Sequence, residues 1–340
     1  MRKTIAAQRA EPAARARPRT RAFFAAAVGV LCIAALVFVL ARAADGARTD
    51  RWIELRAAPI ARTEVAAARI GHFAYVVGGF EESGATSAAV DRYDLRRNRW
   101  KRVRPMPVAL NHAAAVAYRG RLYVHGGYAE GLSQPTSVLL RYDPERNRWR
   151  RLASSRAPRA AEAAAVVRGR LYVAGGANDS GSLRSLEIYD LRRGRWTRGP
   201  SFPGPPRNHT TGVASGGRFY VLAGRDTTNL AAAERYDPRR RRWETLPPLH
   251  TPRGGIASVR LPDGRIVVFG GEQLRPGGTT IGQVELFDPR TRRWRSLPDM
   301  PTPRHGLGGV ALGYRVFALE GGPRPGFAFS GTVEALDVAP

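Results

Sequence analysis

Hydrophobic and polar positions alternate in short runs along most of the chain, and no run outside residues 22–41 is long enough for a helix of ordinary length. The stretch from Asn111 to Trp149 shows the unit. Ala113 to Tyr118 is small and apolar and ends at a turn, Arg119-Gly120-Arg121. Leu122-Tyr123-Val124 is β-rich and stops at Gly126-Gly127, where glycine lets the backbone turn or pack closely. Leu139 to Tyr142 reads as a third strand, followed by the turn chemistry of Asp143-Pro144-Glu145-Arg146-Asn147. Trp149 opens a fourth strand that runs to Leu152.

This four-strand unit recurs. All six tryptophans, Trp52, Trp100, Trp149, Trp196, Trp243 and Trp294, fall at one phase, with spacings of 48, 49, 47, 47 and 51 residues. Six residues before each of the last five lies an aspartate (Asp94, Asp143, Asp190, Asp237, Asp288), and each follows Tyr or Phe. Glycine pairs recur at Gly78-Gly79, Gly126-Gly127, Gly175-Gly176, Gly270-Gly271 and Gly321-Gly322, with Ala223-Gly224 as the degenerate copy. Four strands in a period near 48 point to an all-β propeller. The double glycine, the aromatic-Asp pair and the Trp at these spacings resemble kelch repeats, over about residues 51–340.

The chain enters this region with a lone fourth strand, residues 51–56, and leaves it with a third strand, Val333 to Asp337, that no Trp follows. The first strand is therefore expected to complete the last blade, giving six, because an unpaired edge at the seam would leave the ring open. The first strands are built of small residues such as Ala66-Ala67-Ala68 and Gly308-Gly309, which suits the crowded centre of a ring. The aspartate after the aromatic is read as bonding its own turn. The acid three positions before it (Asp91, Glu187, Glu234, Glu285, Glu334) is read as structural because it repeats.

Ahead of the repeats, residues 1–21 are basic, carrying seven Lys and Arg against Glu11. Residues 22–41 hold no charge and, at about 1.5 Å per residue, are long enough to cross a bilayer. The favoured expectation is a transmembrane anchor, or uncleaved signal, with the basic tail cytoplasmic and the propeller on the extracytoplasmic side, joined by a tether at 42–50. The alternative is a cleavable signal peptide cut near Ala41-Arg42-Ala43. The only cysteine, Cys32, lies in the apolar run, so the repeats contain no disulfide.

The formal charge is +27, and basic residues 2, 3, 9, 15, 17, 19, 21 and 42 against Glu11 account for +7 of it, leaving +20 on the rest. With Lys3 and Lys101 the only lysines among 55 basic residues, 53 are arginine. Many fall in turns, as at Arg96-Arg97, Arg192-Arg193 and Arg239 to Arg242, so solvated turns explain the charge without a nucleic-acid partner. Attraction to anionic lipid or acidic polymer is the other consequence of such a charge.

Candidate chemistry lies where the repeats differ. The residues leading into the first strands include Arg62, Glu64, Asn111, His112, Arg159, Glu162, Arg207, Asn208, His209, Arg253, Arg304 and His305. They are expected to form a collar around one mouth of the central channel, its arginines suited to a carboxylate or polyhydroxy ligand; the competing reading is that arginine after proline simply begins a kelch strand. Loops after the glycine pairs add Arg225, Asp226, Glu272, Phe327 and Phe329. The six histidines are spread over five repeats without a zinc-type spacing, so no metal and no cofactor are expected. The copper oxidase of galactose in the kelch family needs a Tyr–Cys crosslink, which these repeats cannot supply, and no G-x-S-x-G nucleophile elbow occurs.

These features imply a membrane-anchored, monomeric propeller that binds a protein or glycan through its loop face. The alternative rests on similarity to six-bladed bacterial kelch proteins of the N-acetylneuraminate epimerase type, which implies mutarotation of a sugar acid, with Glu64, Glu162, Glu272, Arg225 and His209 among the groups able to take part.

Overall fold

In the computed structural model, residues 50–340 are described, apart from Leu274. They belong to one unit, Thr49–Pro340. It is an all-β propeller of six four-stranded antiparallel sheets. Blade 1 contains Ala66–Ile70, Phe73–Val77, Val90–Asp94 and Arg99–Arg102. Blades 2 to 5 repeat the order, their first strands being Ala114–Tyr118, Ala163–Val167, Thr211–Ser215 and Ala257–Arg260. Blade 6 takes Gly308–Leu312, Arg315–Leu319 and Val333–Asp337 from the end of the chain and its outer strand, Trp52–Leu55, from the beginning. Trp52 pairs with Leu336 and Leu55 with Val333, so the ring closes by hydrogen bonds rather than by side-chain contact alone.

The first strands neighbour one another in circular order, the last returning to the first, and their small side chains surround the central channel. Second strands are buried on both faces and read as continuous apolar runs, for example Phe73–Val77 and Ile266–Phe269. In the third-to-fourth turn, aspartate Oδ1 accepts from following backbone N–H groups, as Asp94 does from Arg96 and Arg97 and Asp190 from Arg192 and Arg193. The six tryptophans link the blades. Each indole Nε1–H donates to a carbonyl in the preceding blade's exit: Trp52 to Pro298, Trp100 to Arg56, Trp149 to Arg104, Trp196 to Ala153, Trp243 to Pro200 and Trp294 to Pro247.

Among the described residues no helix is long and apolar enough to cross a membrane. The expected anchor at 22–41, the basic tail at 1–21 and nearly all of the tether lie outside the described residues.

Candidate functional site

One mouth of the channel is built on a ring of six equivalent backbone positions: Glu64, His112, Ala161, His209, Gly255 and Gly306. All six have positive φ, between 47° and 70°. Peptide groups bond from blade to blade around this ring, His112 N–H to Glu64 O, Ala161 N–H to His112 O, Gly255 N–H to His209 O, Gly306 N–H to Gly255 O and Val65 N–H to Gly306 O. The left-handed conformation is costly for Glu and His and free for glycine. Glycine has a second use here, since a Cβ on Gly306 would lie 2.6 Å from Cδ of Glu64.

The three functional side chains of the ring converge. His112 Nε2 lies 3.1 Å from His209 Nε2 and 3.2 Å from Glu64 Oε2. His305, one position before the ring, holds the other carboxylate oxygen of Glu64 through Nδ1 at 3.0 Å. Bridges between each lead-in and the residue after the glycine pair bring a further layer inward, pairing Asn111 with Tyr128, Asn208 with Arg225 and Gly254 with Glu272. Arg225 is delivered by the degenerate repeat: without a second glycine, the strand Arg218–Arg225 continues through a register shift between Leu222 and Gly224. Its guanidinium pairs with Glu272 and donates to His209 Nε2 at 2.8 Å.

The hydrogen bonds fix several protons. Asn111 gives its amide N–H groups to Thr86 Oγ1 and Gly131 O, so its carbonyl faces His112 Nδ1 at 2.6 Å and that nitrogen carries the hydrogen. Asn208 donates to Ser182 and presents its carbonyl to His209 Nδ1 in the same way. His305 meets only acceptors, Glu64 through Nδ1 and the carbonyls of Arg324 and Gly326 through Nε2, so both ring nitrogens donate and the ring is cationic. The electrostatics agree. Burial lowers the pKa of His305, but its bond to Glu64 and the charges of Glu64 and Glu272 together outweigh this and raise it. Burial and then Arg225 push His209 well below the usual imidazole range, and burial lowers His112 despite Glu64. Burial opposes ionisation of Glu64, yet the facing His112 and His305 hold it far below the usual carboxylate range.

The arginine collar requires correction. Arg62, Arg159, Arg207, Arg253 and Arg304 are fully buried and point into the sheets, not at the mouth. Each pairs with the repeated acid of its own blade: Asp91, Glu187, Glu234, Glu285 and Glu334 in turn. Arg62 also holds Glu320 at 2.9 Å. Blade 2 has leucine at both places, Leu110 and Leu140, packed in one apolar cluster. Glu162 is buried, with Oε1 on His125 Nδ1 at 2.9 Å and Oε2 without a partner. Asp226 is exposed and Phe329 is half-buried. Phe327 is 60% exposed and packs edge-on against Phe80. Phe80 and Tyr128 in turn meet His112 edge-on. Neither was among the expected residues; their signal was position, directly after the glycine pairs. Histidines far apart in the sequence nonetheless gather here, because equivalent positions in different blades meet at the ring.

A small pocket of about 80 Å³ is lined by Glu64, His112, Glu162, His209 and Thr210. It shares its wall with the channel cavity of about 410 Å³, bordered by the small first-strand residues and, toward the other end of those strands, by exposed Arg69 and Arg260.

Fold and cluster define a six-bladed propeller with ionisable groups at one end of its channel. The chain matches the KLHDC2/KLHL20/DRC7 Kelch-repeats domain over residues 64–271 and the Kelch motif over 257–301, and it belongs to the kelch-repeat family. A solved structure described as "Structure of YjhT" shares the fold, with a TM-score of 0.71 and 17% identity, covering 83% of this chain and 96% of that one. No curated protein matches.

Proposed function

We propose that the propeller takes a small polyhydroxy acid into its channel and catalyses proton or electron-pair chemistry on it at the Glu64–His112–His209 cluster, as a sugar-acid mutarotase on the extracytoplasmic side of a membrane. The observation that carries this is the cluster itself: anionic Glu64, two imidazoles with inward lone pairs and cationic His305 at one place. Ring opening of a sugar hemiacetal needs a group that takes the anomeric proton and one that supports the ring oxygen, and groups held in opposite charge states suit that pair. A channel of this volume falls within the range of small-molecule sites. Arg69 and Arg260 at its far end make the channel attractive to an anion, and Arg225, which donates to His209 beside the cluster, is the guanidinium placed to meet the acid group there.

The test is a thermal-shift screen of the full-length chain against sialic acids, uronic acids and neutral sugars. The proposal expects one acidic sugar to stabilise the protein and Arg225→Ala to remove that shift. No shift with any acid, or equal shifts with neutral analogues, would contradict it. A second reading, a docking face for protein or glycan, is favoured by two exposed apolar side chains, Phe327 and Leu132, each 60% exposed. Loss of a captured partner on Phe327→Ser and Leu132→Ser, with the sugar screen blank, would support it.

A further inference from the structure

We propose that Glu64, His112 and His209 bind a divalent transition-metal ion of the zinc class, with two imidazole nitrogens and one carboxylate oxygen as protein ligands. The hydrogen-bond pattern leads there. Because Asn111 and Asn208 fix hydrogens on Nδ1, both Nε2 atoms are available as electron-pair donors, and they lie 3.1 Å apart, with Arg225 bonded to that of His209. The third neighbour, Glu64 Oε2, is an acceptor as well, 3.2 Å from His112 Nε2. Three electron-pair donors this close need a cation among them, either a proton on His112 Nε2 or a bound metal ion. All their ligand atoms fall within 4.8 Å of one another. Tetrahedral ligands about 2.0–2.2 Å from a common ion stand roughly 3.3–3.6 Å apart, so the 3.1 and 3.2 Å contacts need only a small outward shift.

The surroundings fit the same role. Metal-bound histidines ordinarily donate their other N–H to a carbonyl or carboxylate, which sets the tautomer and aims the ring. Asn111 and Asn208 do this for both rings, and His305 holds the second oxygen of Glu64. The three ligands occupy the left-handed ring, whose remaining positions are Ala161, Gly255 and Gly306. Glu162, whose Oε2 is buried without a partner, lines the same pocket and adds negative charge to it. Arg225 competes for the lone pair of His209, but it also pairs with Glu272 and so can release His209 without losing a counter-charge. Two histidines and one carboxylate leave coordination positions unfilled, the pattern of a catalytic rather than a structural site. The inference deepens the function proposed above by making His112 and His209 metal ligands rather than proton carriers, and it rests on that function only for the substrate.

The experiment uses the full-length chain without an affinity tag, stripped with a chelator and titrated with Co2+ and Zn2+. Expected are one equivalent bound, ligand-field bands for Co2+ in the visible, and loss of both in His112→Ala and His209→Ala. Asn111→Ala and Asn208→Ala should weaken binding about 10–100-fold, as for other groups that support a metal-bound histidine. Circular dichroism of each variant separates a lost site from a lost fold, and Glu64→Gln gives a conservative third variant. Absence of stoichiometric binding in the folded parent, or binding unchanged in the histidine variants, would overturn the proposal. Metal bound without any response to sugar acids would overturn the substrate reading and leave the site standing; mutarotation by chelator-stripped protein, with no metal bound by the parent, would do the reverse.

Discussion

His112 and His209 stand 97 residues apart in the chain, yet their Nε2 atoms lie 3.1 Å apart at the channel mouth. With hydrogens held on Nδ1, neither ring donates to the other across this contact, the lone pair of His209 is met only by Arg225, and burial gives neither ring an easy way to charge. Such a contact does not stabilise a fold. In chelator-treated protein, His209→Ala is therefore expected to leave the melting temperature unchanged or raised, as at sites where function is kept at the expense of stability. A drop of several degrees in calorimetry would mark the pair as structural.

The buried arginines make the opposite prediction. Arg207 is fully buried on Glu234, so Arg207→Ala leaves a buried carboxylate unpaired and should cost about 3–5 kcal/mol, seen as a lower denaturant midpoint. Blade 2 already shows the alternative, leucine at both positions. The double variant Arg207→Leu with Glu234→Leu should accordingly recover most of the loss. If the double variant is no more stable than the single one, the pairing is not what makes the arginine necessary.

These two cases show what the sequence makes legible. The repeat was plain from the six Trp, the aromatic-Asp pairs and the glycines, since each serves a backbone need that recurs in every blade. The arginines were misplaced because residue type alone does not say whether a side chain at a strand's start points along the mouth or into the sheet. The correlated exchange in blade 2, Leu110 with Leu140 where the others carry Arg with an acid, held that information. The histidine cluster was hidden for a geometric reason: ring closure makes neighbours of equivalent positions that sequence spacing keeps far apart. Tyr128 and Phe80 escaped notice because they look like ordinary strand residues until the bridges place them beside His112.

Closure of the ring rests on Trp52–Leu55, which pairs with Val333–Asp337 and sends the Trp52 indole to Pro298. Deleting residues 51–55 removes that strand and exposes the edge of blade 6. The expected result is a marked fall in the melting temperature of the whole propeller in a single transition; an unchanged melting temperature would mean that the seam contributes little.

A pH dependence follows from Glu320. Burial, reinforced by the nearby Asp91, pushes its pKa up to about 7, although Arg62 opposes the shift. A carboxyl raised in the folded state binds a proton there that the unfolded chain has already released. Stability from this group is thus present below the ordinary glutamate range and is lost as pH rises toward 7. Chemical denaturation at pH 5 and pH 8 should show a smaller difference in Glu320→Gln than in the parent, and an equal difference would mean that Glu320 titrates normally.

The most direct measurement is the rate of anomer exchange of acidic sugars, followed by NMR with the full-length chain and with Glu64→Gln. The account predicts faster exchange of one sugar acid, no effect on neutral sugars, and at least a ~100-fold loss in the variant, the scale of a proton-transfer group or its metal-bound equivalent. Exchange at the uncatalysed rate for every acid tested, or equal rates in parent and variant, would contradict it.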